Sequence, residues 1–79
     1  MTRIEKLTER LKNNPANVSF NDIRKLLTHE DFRLERVTGS HHIFKRGPIR
    51  FVIPVHNRRV KIIYVKRIIE LIEGMKNEK

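Results

Sequence analysis

Apolar residues recur along this chain at two different periods, and the change of period divides it into helix, helix, three strands and helix. Ile4, Leu7 and Leu11 share one helical face. Thr2 and Glu5 stand at capping-box spacing ahead of them, and Asn13-Asn14-Pro15 ends the run. Ser19 is placed to cap a second helix, with Asp22 against its dipole and Phe20, Ile23, Leu26 and Leu27 as its stripe. That stripe runs out near His29-Glu30-Asp31.

From Phe32 the period shortens to two. Phe32 and Leu34 alternate with Arg33 and Glu35, but Val37 breaks the parity, which predicts a bulge or an edge position. The first strand is expected over Phe32 to Thr38, Gly39-Ser40 as a tight turn, and the second strand over His41 to Arg46. Gly47-Pro48 is a second turn and Ile49 to His56 the third strand, with Pro54 placing it at an edge or near its end. Asn57-Arg58-Arg59 reads as a polar connection. A last helix from about Val60 to Met75 gathers Ile62, Val65, Ile68, Ile69, Leu71, Ile72 and Met75 on one half of its wheel. Lys66, Arg67, Glu70 and Glu73 take the other half, with Ile63 the odd apolar residue among them. Gly74 marks its expected end and residues 77–79 a mobile tail.

The helical stripes need an apolar surface, and the short meander is the one available. The expected fold is α+β: a three-stranded antiparallel sheet with helices on one face and water on the other. Its core order, α-β-β-β-α, is that of double-stranded-RNA-binding domains (dsRBD-like), preceded by an additional N-terminal helix. Residues 1–79 read as a single domain, without repeat or linker. Strand parity groups His41 with Ile43 and Lys45, and His42 with Phe44 and Arg46. Both sets mix apolar and cationic residues, so the pattern does not choose which faces the helices.

Charge narrows the partners. Eighteen Lys and Arg oppose nine Asp and Glu, a formal +9 with a pI near 10.7. On so small a body that excess attracts phosphate backbones or anionic lipid. No apolar run approaches the roughly 20 residues of a spanning helix, which favours nucleic acid over membrane. The chain has no cysteine, so disulfides and thiolate metal sites are excluded, and a cytoplasmic location is expected.

Gly39-Ser40 delivers two adjacent histidines onto a strand that ends in Lys45-Arg46. An ordinary imidazole titrates at about 6.5 and suits proton transfer at neutral pH. RNA is cut without metal when a base takes the 2′-OH proton and cations stabilise the pentavalent phosphorane. His41 is the candidate base, against the bland reading of an inert surface histidine. His42 lies on the opposite face and reads as a structural imidazole. His56, at the end of the third strand, is a possible second acid or base, the competing reading being a solvated strand end. His29, at a helix C-terminus, reads as structural. His41 and His42 diverge and no carboxylate joins them at ligand spacing, so no metal and no cofactor is expected. Lys45, Arg46, Arg58, Arg59 and Lys61 are candidates for holding RNA, with Arg50, Lys66 and Arg67 as further cations. The alternative for each is a solvated surface charge. Arg58, Arg59 and Lys61 cluster at the start of the last helix, where free N–H groups suit phosphate. Tyr64 reads as a cover on the core edge.

The Gly-Ser-His-His-Ile-Phe turn and strand resemble the signature of the HicA (YcfA-like) toxins, ribosome-independent mRNA interferases of bacteria. The resemblance continues through Leu7, Asn13-Asn14-Pro15, Leu26-Leu27, Phe32, Ile53-Pro54-Val55-His56 and Tyr64-Val65-Lys66, from about Thr2 to Met75. It implies a dsRBD-like fold and a catalytic histidine directly after the Gly-Ser turn, the position held by His41. It also implies mRNA as target and a HicB antitoxin that blocks the site. The toxin is then expected as a monomer alone and a hetero-oligomer with its antitoxin. Two departures stand out: Asp31 precedes Phe32 where the family usually has Gly, and the turn at Gly47 to Arg50 is short. Two other functions stay open at this point. One is a catalytically silent RNA-binding module of the same fold, and the other a basic face made for an acidic protein partner.

Overall fold

A computed structural model describes residues 2–77 of the 79. In chain order the elements are α1 (Arg3–Asn13), β1 (Val18–Ser19), α2 (Phe20–His29), β2 (Arg33–Thr38), β3 (His41–Arg46), β4 (Ile49–Pro54), β5 (Arg59–Val60) and α3 (Ile62–Asn77). Strands β2-β3-β4 form the expected antiparallel sheet, with β3 in the middle.

The helix starts follow from their caps. Thr2 Oγ1 accepts the Glu5 N–H at 3.1 Å while the Glu5 carboxylate accepts the Thr2 N–H at 3.0 Å, completing the capping box. Ser19 Oγ accepts the Asp22 N–H at 3.3 Å. The end of α2 is a Schellman motif: the Asp31 N–H donates to the Thr28 carbonyl and the Phe32 N–H to the Leu27 carbonyl. Phe32 and Leu27 are both buried in the core beneath it. Asp31 sits at φ +67°, a conformation that suits glycine. Asp31→Gly should therefore raise stability, by about 1 kcal/mol or less, since relief of the left-handed strain is partly offset by chain entropy. Urea unfolding measures it, and a lowered midpoint would refute the account.

Between the strands, Gly39 (φ +60°) and Gly47 (φ +55°) each hold the first central position of a two-residue turn, as a type II′ hairpin requires. The second turn is as short as its sequence implied. The pairing of β2 with β3 slips between Leu34 and Arg36, leaving Glu35 as the extra residue of a bulge. Val37 thereby returns to the face of Leu34, and β2 is also an edge strand, all six of its residues exposed.

Four sequence expectations are corrected. The third strand ends at Pro54 rather than His56, because the chain turns back through Asn57 (φ +51°) and Arg58 (φ +61°). His56 and Arg59 close that turn with reciprocal backbone bonds of 3.0 and 2.8 Å. Arg59–Val60 is then not a connection or a helix start but β5, which pairs with β1 through Val18↔Val60 and Ser19↔Arg59. Consequently α3 begins at Ile62, leaving Ile62 itself 44 % exposed. The last helix also passes Gly74 and includes Asn77: the cost of an interior glycine, about 1 kcal/mol, is outweighed by packing of Leu71, Ile72 and Met75. Residues 78 and 79 of the expected tail lie outside those described.

One cluster forms the core, drawing Leu11 from α1, Ile23, Leu26 and Leu27 from α2, Phe44 and Ile53 from the sheet, and Val65, Ile68, Ile69 and Ile72 from α3. Two surface ion pairs tie α1 down, Arg10–Asp22 at 2.8 Å and Lys12–Glu73 at 2.7 Å. The hydrogen bond and charge of Glu73 raise the Lys12 pKa above its ordinary value.

Candidate active site

Register settles what parity left open. Phe44 pairs with Leu34 and Phe51, and His42 with Val37 and Ile53; Phe44 and Ile53 are wholly buried against the helices. His42, Phe44 and Arg46 therefore face the core side, and His41, Ile43 and Lys45 face away from it. His41 is exposed, with Thr38 opposite it on β2 and Pro54 on β4. Among the described residues its imidazole makes no hydrogen bond, ion pair or ring contact.

The backbone that carries His41 is clamped. The Ser40 carbonyl accepts the Val55 N–H at 2.8 Å and also meets His42 Nδ1 at 3.2 Å. A carbonyl only accepts, so Nδ1 of His42 bears the hydrogen. The His42 ring rests on Phe20, centroids 4.3 Å apart and tilted by 50°. His42 is thus a structural imidazole that binds the turn to the start of α2.

His56 is exposed and lies two residues beyond Pro54, the cross-strand partner of His41. Both histidines are at the same end of the sheet, joined by no direct contact among the described residues. His29 is remote from them, on the surface, its Nδ1 3.1 Å from the Glu30 carboxylate.

The expected RNA-holding residues divide among four places. Lys45 shares the outer face with His41 but stands four residues along the strand, about 13 Å away. Arg46 points to the other face, where Nη1 meets the Met75 sulfur at 3.5 Å. Arg58 and Arg59 lie at the N-terminus of α2 rather than that of α3: the Arg58 carbonyl accepts the Phe20 N–H at 2.9 Å. Together with Ser19, Phe20, Asn21 and Arg24 the two arginines line a shallow depression of about 360 Å³. Lys61 alone remains at the start of α3, its carbonyl accepting the Tyr64 and Val65 N–H groups. Tyr64 packs against the core edge.

Two residues of the outer face escaped sequence reading. Thr38 lies directly across from His41, and Arg36 across from Ile43. Both are exposed. The signal was present in Val37, whose broken parity moves Arg36 to the outer face once the bulge is placed before it. Arg33, paired with Lys45, and Arg50, paired with Lys45 from the other side, complete a basic surface around one carboxylate, Glu35. Glu35 stands 3.5 Å from Arg50 and 3.9 Å from Lys45. Among the described residues no three His, Asp or Glu side chains gather as a metal ion would need, and no helix is long and apolar enough to cross a membrane.

Comparison with known families finds one model that matches, described as the HicA toxin of bacterial toxin–antitoxin, over residues 20–73. No curated protein and no solved structure matches. The match spans α2 to most of α3 and includes the histidine turn, while α1 and β1 lie outside it.

Proposed function

The chain belongs to the HicA toxin family of bacterial toxin–antitoxin systems, which implies an antitoxin partner, and on that premise we propose that it is an mRNA interferase, a metal-independent endoribonuclease with His41 as general base. The observation that carries this reading is the setting of His41. It is exposed and unengaged, on the solvent side of the middle strand, beside a turn clamped through Ser40, and on a surface where cations outnumber carboxylates.

In this reaction His41 takes the proton of a 2′-hydroxyl as that oxygen attacks the adjacent phosphorus. The bond from phosphorus to the 5′-oxygen of the next nucleotide breaks, and that oxygen takes a proton from His56. The products are a 2′,3′-cyclic phosphate and a 5′-hydroxyl, and exchange with water resets both imidazoles. Lys45 holds the chain along the outer face, and Arg58, Arg59 and Lys61 hold it beyond His56. Such contacts are electrostatic and weaken with salt. A HicB-type antitoxin would neutralise the toxin by covering His41, and the site of action is the cytoplasm, where mRNA is exposed.

Purified protein in EDTA should cut single-stranded RNA to fragments ending in 2′,3′-cyclic phosphate. Salt-dependent RNA binding with no cleavage under any condition would instead make it a binding module.

A further inference from the structure

The base at His41 needs a cation within reach of the same phosphate, and of the cations proposed above for holding RNA only Lys45 shares its face of the sheet. Lys45 is about 13 Å along the strand. Arg46 is on the opposite face, and Arg58 and Arg59 are held against the start of α2 by the turn that follows His56. Arg36 fits better. It pairs across the sheet with Ile43, two residues from His41 on the same face. Diagonal neighbours of that kind lie about 7–8 Å apart, a gap an arginine side chain covers.

Its charge is also uncompensated. Glu35 lies near both Lys45 and Arg50, whereas Arg36 has no carboxylate partner among the described residues. The bulge at Glu35 turns Arg36 to the face of His41, while Glu35, on that face by plain alternation with Leu34, engages Lys45 and Arg50.

We propose that Arg36 is a second catalytic residue, its guanidinium gripping the non-bridging oxygens of the phosphate whose neighbouring 2′-hydroxyl His41 deprotonates. The proposal rests on the reading of His41 as base. A guanidinium offers two parallel N–H donors to two phosphate oxygens, and the grip tightens as the phosphorane gathers charge. Thr38, opposite His41, is too short and uncharged for that task.

Cleavage rates at saturating RNA and affinities for an uncleavable, fully 2′-O-methylated RNA should be measured for wild type, Arg36→Ala, Arg36→Lys and His41→Ala. Arg36→Ala is expected to lower kcat by about 10²–10³-fold, the usual loss of one transition-state donor. Its affinity for the uncleavable RNA should change less than about fivefold, as expected of a grip that strengthens in the transition state. Arg36→Lys, which keeps the charge and loses the fork, should fall between. If His41→Ala is inactive while Arg36→Ala cuts within threefold of wild type, the role of Arg36 is overturned and that of His41 stands. If Arg36→Ala loses affinity with kcat unchanged, Arg36 is a backbone grip only, and the proposal is again overturned. Cleavage by His41→Ala at the wild-type rate would instead remove the reading on which it rests.

Discussion

His41→Ala should lose RNA cleavage by about 10²–10⁴-fold, the range a positioned general base contributes. The fold should be untouched. His41 is exposed and has no partner among the described residues, and substitutions of that kind shift stability by no more than about 0.5 kcal/mol. Circular dichroism and the midpoint of thermal unfolding should therefore match wild type while the cleavage assay fails. Expression of wild type should arrest growth and expression of His41→Ala should not. A variant that cuts RNA within a few-fold of wild type would show that the base lies elsewhere.

Phe44→Ala should lower the same activity for a different reason. Phe44 is wholly buried at the centre of the sheet, flanked by Leu34 and Phe51, with its ring 6.1 Å from that of Phe20. Truncating such a residue loses its burial and leaves a cavity, together worth about 3–5 kcal/mol. Against the usual 5–15 kcal/mol of a small domain that is a large fraction. Thermal unfolding should move down by roughly 12–40 °C in a chain of this size. A loss below about 1 kcal/mol would mean that Phe20 and Phe51 close over the gap, contrary to the packing described. The two variants separate chemistry from scaffold: one keeps its stability and loses the cleavage step, the other loses stability and with it the placement of the site.

The helices were legible because their signals are local. Thr2 with Glu5, Ser19 with Asp22, and the apolar stripes lie within a few turns of one another, and the caps and buried faces follow them. The sheet was legible as strands and turns but not as faces. His41-Ile43-Lys45 and His42-Phe44-Arg46 are equally mixed, and tertiary burial of Phe44 and Ile53 is what decides between them. Arg36 was hidden by one extra residue, since reading alternation straight through from Phe32 puts it on the core side. The ribbon of Val18–Ser19 with Arg59–Val60 was hidden too: two residues are too few for periodicity, and Val60 continues smoothly into the pattern of α3. That ribbon is also why Arg58 and Arg59, adjacent in sequence to the last helix, sit at the start of α2. Asp31 is the opposite case, a departure visible in the sequence whose cause, a positive φ at a helix end, only the backbone reveals.

The two-residue turns at Gly39-Ser40 and Gly47-Pro48 bear on the order of folding. Each sheet contact closes the shortest loop available, so the hairpins can form in about 1–10 μs without help from the rest of the chain. Pairing of β1 with β5 and the Lys12–Glu73 tie instead join segments far apart in the sequence and close much larger loops. Loop length alone therefore favours registering the strand bearing His41 before the contacts of α1 with α3 form, an order that φ-values at Phe44 and Leu11 would test.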